Sequence, residues 1–182
     1  MTVDYGPLSQ LIGTFTGDKG LDIAPDPDGK EENLFYETIV FCEAGETVNA
    51  EEQSLVALHY HLVVNRKGDD KVIHNQTGYW MWDKEKNEII QSIAIPRAVS
   101  LLAAGSATEE DGKIIFNVAT DEKSDSWGIV QAPFMHKKAK TTSFKQTMTI
   151  QGNELHYHET TMVDIYGKSF EHTDTNTLTK IV

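Results

Sequence analysis

The chain has 182 residues, 39% of them hydrophobic and 24% charged, and its 16 basic against 28 acidic side chains give a formal net charge of −12. That balance excludes the clustered positive surface that nucleic acid or an anionic membrane requires. One domain over residues 1–182 is the expectation, long enough to bury a core.

In chain order, Met1 to Tyr5 carry no basic or apolar leader. No run approaches the length of a membrane span, so a cytoplasmic protein is expected. A short helix is expected over Pro7 to Ile12, with proline at a position helices tolerate. Asp26 to Asn33 reads as irregular. Leu34 to Phe41 is rich in aromatic and β-branched residues and reads as a strand. Cys42, the single cysteine, is expected to be a small buried residue on it, and one cysteine excludes an internal disulfide and a thiolate zinc site.

Leu55 to Val64 shows the clearest two-residue period. Val56, Leu58, Tyr60, Leu62 and Val64 fall on one face, and Ala57, His59 and His61 on the other. Strands over Val72 to Trp82, Glu88 to Ile95, Val99 to Ala107 and Lys113 to Thr120 follow, broken by polar or glycine-containing turns. Asp121 to Lys140 reads as irregular, with room for one further short strand. Thr142 to Ile150, Glu154 to Val163 and Lys168 to Ile181 complete the series. About ten strands at this spacing predict an all-β, antiparallel up-and-down barrel of the lipocalin and fatty-acid-binding-protein type. Small barrels of this kind hold one ligand inside.

Seven histidines are the main candidates for chemistry. His59 with His61, and His156 with His158, are spaced two apart on strands, without a third ligand at recognisable spacing, and read as structural or surface groups. His136 lies beside lysines. His172 stands ten residues after Met162 with a turn signal at Tyr166-Gly167-Lys168 between them. A hairpin symmetric about Gly167 sets Met162 and His172 opposite each other on one face. No nucleophile elbow, Walker loop or dinucleotide fingerprint is present.

Four blocks carry a family resemblance. Leu11 to Gly20, with its Gly13-Thr14-Phe15-Thr16-Gly17 core, resembles the opening signature of the nitrobindin family. Phe35 to Phe41 looks like that family's second strand, and Ile73-His74-Asn75-Gln76-Thr77-Gly78-Tyr79 is similar to its Met-His-x-Glu-x-Gly-Tyr block. Met162 and His172 fall where the family has a pocket methionine and a haem-ligating histidine. Phe15 stands where the family has tryptophan, Gln76 where it has an acid, and Lys19 interrupts the glycine pattern. Leu178 falls one residue late, which predicts a bulge or slipped register, and a one-residue slip turns His172 out of the barrel.

The resemblance implies a ten-stranded barrel holding ferric haem b through His172, with Met162, Ile73 and His74 lining the pocket. It further implies nitric oxide binding and isomerisation of peroxynitrite to nitrate. A small-molecule ligand in the barrel is the expected partner, and a homodimer is compatible with the reading. Two alternatives stay open. One is a metal-free carrier of a fatty acid or similar apolar molecule, for which Arg97 and Tyr157 are the carboxylate-binding candidates. The other is an interaction protein whose interior is packed shut.

Overall fold

The computed structural model describes residues 3–181. Its strands, in chain order, are β1 (Gly13–Asp26), β2 (Gly29–Asn49), β3 (Gln53–Arg66), β4 (Val72–Asp83), β5 (Glu88–Ile95) and β6 (Val99–Glu110). They continue as β7 (Lys113–Asp121), β8 (Ile129–Gln131), β9 (Ala139–Gln151), β10 (Glu154–Ile165) and β11 (Lys168–Lys180). A 3₁₀ helix, η1 (Gly6–Leu11), precedes them and a short helix, α1 (Pro133–Lys138), lies between β8 and β9. All pairings are antiparallel, in the order β5-β4-β3-β2-β1-β11-β10-β9-β7-β6, and β5 pairs with β6 to close the ring into the expected ten-stranded barrel. Closure removes the free sheet edges that an open sheet of this size would expose. Among the described residues only β8 stands outside the ring, continuing the wall beside β6 where β7 has ended.

The alternation in β3 is what the sequence predicts. Val56, Leu58, Tyr60, Leu62 and Val64 all point inward and are buried. At one end of the barrel the interior is solid. Phe15, Trp80, Phe116, Ile150, Leu155 and Leu178 fill it, each at 2% exposure or less. Phe15 meets Phe41 edge to face at 5.9 Å, and Trp80 meets Phe116 at 5.7 Å, the geometry aromatic pairs prefer. Helix η1 adds Leu8 and Leu11, both fully buried, to this packed end.

Three expectations need correction. Asp26 to Asn33 is not irregular: β1 and β2 run on as a hairpin, with Asp26 paired to Gly29. The charged side chains of that stretch are mostly exposed, so it lacks the apolar alternation by which strands are read. Cys42 is exposed, because its neighbour Phe41 points inward and the pleat turns successive residues to opposite faces. The stretch from Asp121 to Lys140 contains α1, whose Met135, with Ala139 just beyond it, reaches the interior at the open end.

Candidate functional site

The end opposite the packed core holds a cavity of about 480 Å³. Two bulges and a tight turn decide which side chains enter it. In β1, Gly17 pairs with Glu37 and Gly20 with Phe35, so β1 carries one extra residue there. Inward parity changes from Phe15 and Gly17 to Gly20 and Asp22, and Asp22 is buried at 7% exposure. The Phe35 ring lies over Gly20, and a Cβ at that position would be 2.1 Å from it. In β4, Val64 pairs with His74 and Asn65 with Val72, which leaves Ile73 as the extra residue. Ile73 and His74 both line the cavity as a result.

The β10–β11 hairpin turns on two residues, Tyr166 and Gly167, with φ of 54° and 77°. Both φ values are positive, as a tight two-residue hairpin turn of this kind requires. Its register runs unbroken from Ile165–Lys168 to Glu154–Thr179; the irregularity expected near Leu178 lies on the other side of β11, between Thr16–Thr179 and Leu21–Thr175, where β1 carries the extra residue. His172 therefore pairs with Thr161, and Met162 with Glu171. The symmetric turn about Gly167 is corrected by one residue, and one residue exchanges faces. His172 and Thr161 line the cavity, whereas Met162 points to the outer face with His156 and His158.

The cavity has two unlike walls. One is apolar: Ile73, Ile93, Ile95, Val99, Leu101 and Phe144 line it. On this side His74 Nε2 donates to Gln76 Oε1 at 2.9 Å, and Gln76 Nε2 donates to Tyr60 Oη at 2.6 Å. Burial lowers the His74 pKa and keeps the ring neutral. Arg66, Lys71 and Arg97 stand toward the mouth.

The other wall is ionisable. Asp22 on β1 pairs directly with Asp174 on β11, which pairs directly with Glu159 on β10. His172 Nε2 lies 2.7 Å from Asp22 Oδ1 and 3.4 Å from Asp174 Oδ2. Asn33 Nδ2 donates to the other Asp22 oxygen at 2.9 Å and fixes the carboxylate's orientation. Burial alone would lower the His172 pKa; the Asp22 hydrogen bond and the charges of Asp174, Asp22 and Glu159 outweigh it and hold the pKa above the usual histidine value. Burial, with the neighbouring Asp174 charge, raises Glu159 to about 8. Burial raises Asp174 to about 6 against the pull of His172. Deeper in the barrel, burial lifts Glu37 to about 7, although Asn176 donates to it at 2.7 Å and Tyr157 at 3.1 Å.

Sequence reasoning had placed His172, Ile73 and His74 together and missed the acids. Asp22, Glu159 and Asp174 belong to no spaced motif, and the β1 bulge that turns Asp22 inward leaves only a pair of glycines three apart as its signal. Tyr157 is tied to Glu37 below the cavity, and Arg97 is exposed near the mouth, donating to Ile73 O at 3.4 Å. These two candidates for a carboxylate site therefore do not converge.

Residues 4–180 match the family model described as "THAP4-like, heme-binding beta-barrel domain". The chain belongs to this family, the nitrobindins. The crystal structure of Rv2717c from M. tuberculosis superposes with a TM-score of 0.72 at 20% sequence identity, covering 98% of this chain and 100% of that one. At that identity the likeness establishes the shared fold alone. No curated protein matches the sequence.

A haem-binding barrel must offer a slot, an axial nitrogen and cations for two propionates. This nitrobindin has an apolar wall facing an inward histidine, and three basic side chains line the same cavity. The residues present fit haem, with one condition. Nε2 of His172 is engaged by Asp22, and a ligating imidazole must be neutral with a free lone pair.

Proposed function

We propose that this nitrobindin holds ferric haem b in the cavity through a single protein ligand, His172. The observation that carries the reading is that His172 projects from β11 into a cavity whose opposite wall is apolar. When bound, the haem supplies an iron centre at which nitric oxide can bind and peroxynitrite can be isomerised to nitrate. The chain's own contribution is binding and confinement. Ile73, Ile93, Leu101 and Phe144 exclude water from the slot, and Arg66, Lys71 and Arg97 offer partners to the propionates. His74, held neutral with its Nε2 proton on Gln76, places a second imidazole on the wall without adding charge.

Titrating purified protein with ferric haem tests this. A 1:1 complex with a sharp Soret band is expected in the wild type and is lost in His172→Ala. A Soret band of unchanged position and affinity in that variant would sink His172 as the ligand. Saturable uptake of a fatty acid with no haem spectrum would favour the metal-free carrier.

A further inference from the structure

We propose that Asp22, His172, Asp174 and Glu159 form a site for a bare divalent transition-metal ion, distinct in chemistry from a porphyrin site although it shares His172. The argument begins with the strand register. Asp22, Asp174 and Glu159 occupy three adjacent inward positions across β1, β11 and β10, so three carboxylates stand side by side in one rung of the wall. Like charges directly opposite on neighbouring strands are destabilising, and burial magnifies the cost. One imidazolium offsets part of that crowding, and a proton held on Glu159 another part. Porphyrin binding makes no use of such a rung, whereas a divalent cation bound to it would balance the rest.

The donor atoms are already gathered. His172 Nε2 and one oxygen each of Asp22 and Asp174 all lie within 4.8 Å of one another. Ligands at ~2.0–2.2 Å from a shared ion stand roughly 3–3.5 Å apart, so only small side-chain rotations close the shell. Asp22 is pre-aimed, its second oxygen being held by Asn33.

Beside that trio, farther along the wall, lies one buried polar atom without a partner among the described residues. Glu159 lines the same cavity and accepts a hydrogen bond from Gln146 at Oε2 only. Its Oε1 meets no donor among the described residues. Gln146, its register partner, leaves its own buried Oε1 without a donor. Among the described residues the Asp174 carboxylate, partly open to the cavity, accepts no side-chain hydrogen bond and makes a 3.4 Å ion contact with His172. Carboxylate oxygens open to the cavity beside an imidazole nitrogen are what a cation can use. One nitrogen and two or three carboxylate oxygens, with positions left open to the cavity, suit a borderline divalent ion such as Zn²⁺, Co²⁺, Fe²⁺ or Mn²⁺.

The test uses the full chain freed of metal and porphyrin, titrated with Co²⁺ and followed by calorimetry and by the visible d–d bands of the ion. One Co²⁺ per chain is expected, with bands showing nitrogen–oxygen coordination. Asp22→Asn and Asp174→Asn should each weaken binding at least tenfold, Glu159→Gln less, and His172→Ala should abolish it. Removing a carboxylate from a crowded rung should not unfold the barrel, and thermal melts of each variant check this. Co²⁺ that fails to bind stoichiometrically, or that binds equally well to both asparagine variants, overturns the proposal. Ferric haem run in parallel separates this from the porphyrin reading. Asp174→Asn should keep the Soret band while losing Co²⁺, and an absent Soret band in the wild type leaves the Co²⁺ outcome intact.

Discussion

The two ends of the barrel are built from the same strands and obey different rules. At the packed end, β3, β7 and β10 alternate between buried and more exposed positions, and their inward residues there are aromatic or aliphatic. At the open end, bulges at Ile73 and between Met162 and Val163 interrupt the alternation. There the inward residues include three carboxylates and two histidines. Burial at the packed end stabilises the fold at roughly 25 cal/mol per Å² of apolar surface. Burial at the open end acts against it by desolvating charges. The packed end thus supports a site that the open end could not sustain alone.

The largest way to break this division is at Gly20, where the two regimes meet. The bulge there turns Asp22 into the cavity, and the buried Phe35 ring occupies the space of a missing Cβ. Phe35 is fully enclosed and has nowhere to move. Gly20→Ala is expected to destabilise the barrel by about 3 kcal/mol, measured by denaturant unfolding. A loss under ~0.5 kcal/mol would show that the β1 bulge does not depend on that close approach.

A smaller effect of opposite sign sharpens the same contrast. Glu159 has a folded pKa of about 8 and Glu37 of about 7, both raised above the ordinary carboxylate value of 4.5. A raised folded pKa means that the folded state binds the proton more tightly than the unfolded chain. The contribution is fully present below pH ~4.5 and is lost as pH rises through the folded value. The metal-free, haem-free protein should therefore become less stable between pH 5 and 8. Glu159→Gln should flatten that slope and raise stability at pH 8 by about 2 kcal/mol. Thermal melts across this range check it, and a wild-type stability that climbs from pH 5 to 8 contradicts the desolvation argument.

How much of this was legible follows the same boundary. The barrel, its strand count and the inward face of β3 could be read because apolar alternation reports burial directly. The short helix at Pro7 to Ile12 and the grouping of Ile73, His74 and His172 were also within reach. Asp22 was not: carried forward from Phe15, strict parity points Leu21 and Ile23 inward and Asp22 outward. One extra residue reverses that assignment, and nothing in the composition of β1 announces it beyond Gly17 and Gly20. The hairpin between β10 and β11 failed for a related reason. Tyr166-Gly167 and Tyr166-Gly167-Lys168 are both plausible turn strings, and the difference of one residue exchanges Met162 for Thr161 beside His172.

That exchange yields the smallest expected effect. Met162 lies on the outer face opposite Glu171, half-buried among strand neighbours, while Thr161 lies on the inner face opposite His172. Met162→Ala removes side-chain atoms from the barrel's exterior and none from the cavity. Its effect on ferric haem affinity should be within about twofold, and its cost in stability about 1 kcal/mol or less. If Met162→Ala shifted the Soret band or weakened haem uptake tenfold, the register would have to slip by one residue. Met162 would then stand opposite His172 on the same face in place of Thr161, as a turn symmetric about Gly167 requires. A near-silent Met162 beside a haem-dead His172→Ala is thus a single measurement of which way the β10–β11 hairpin faces.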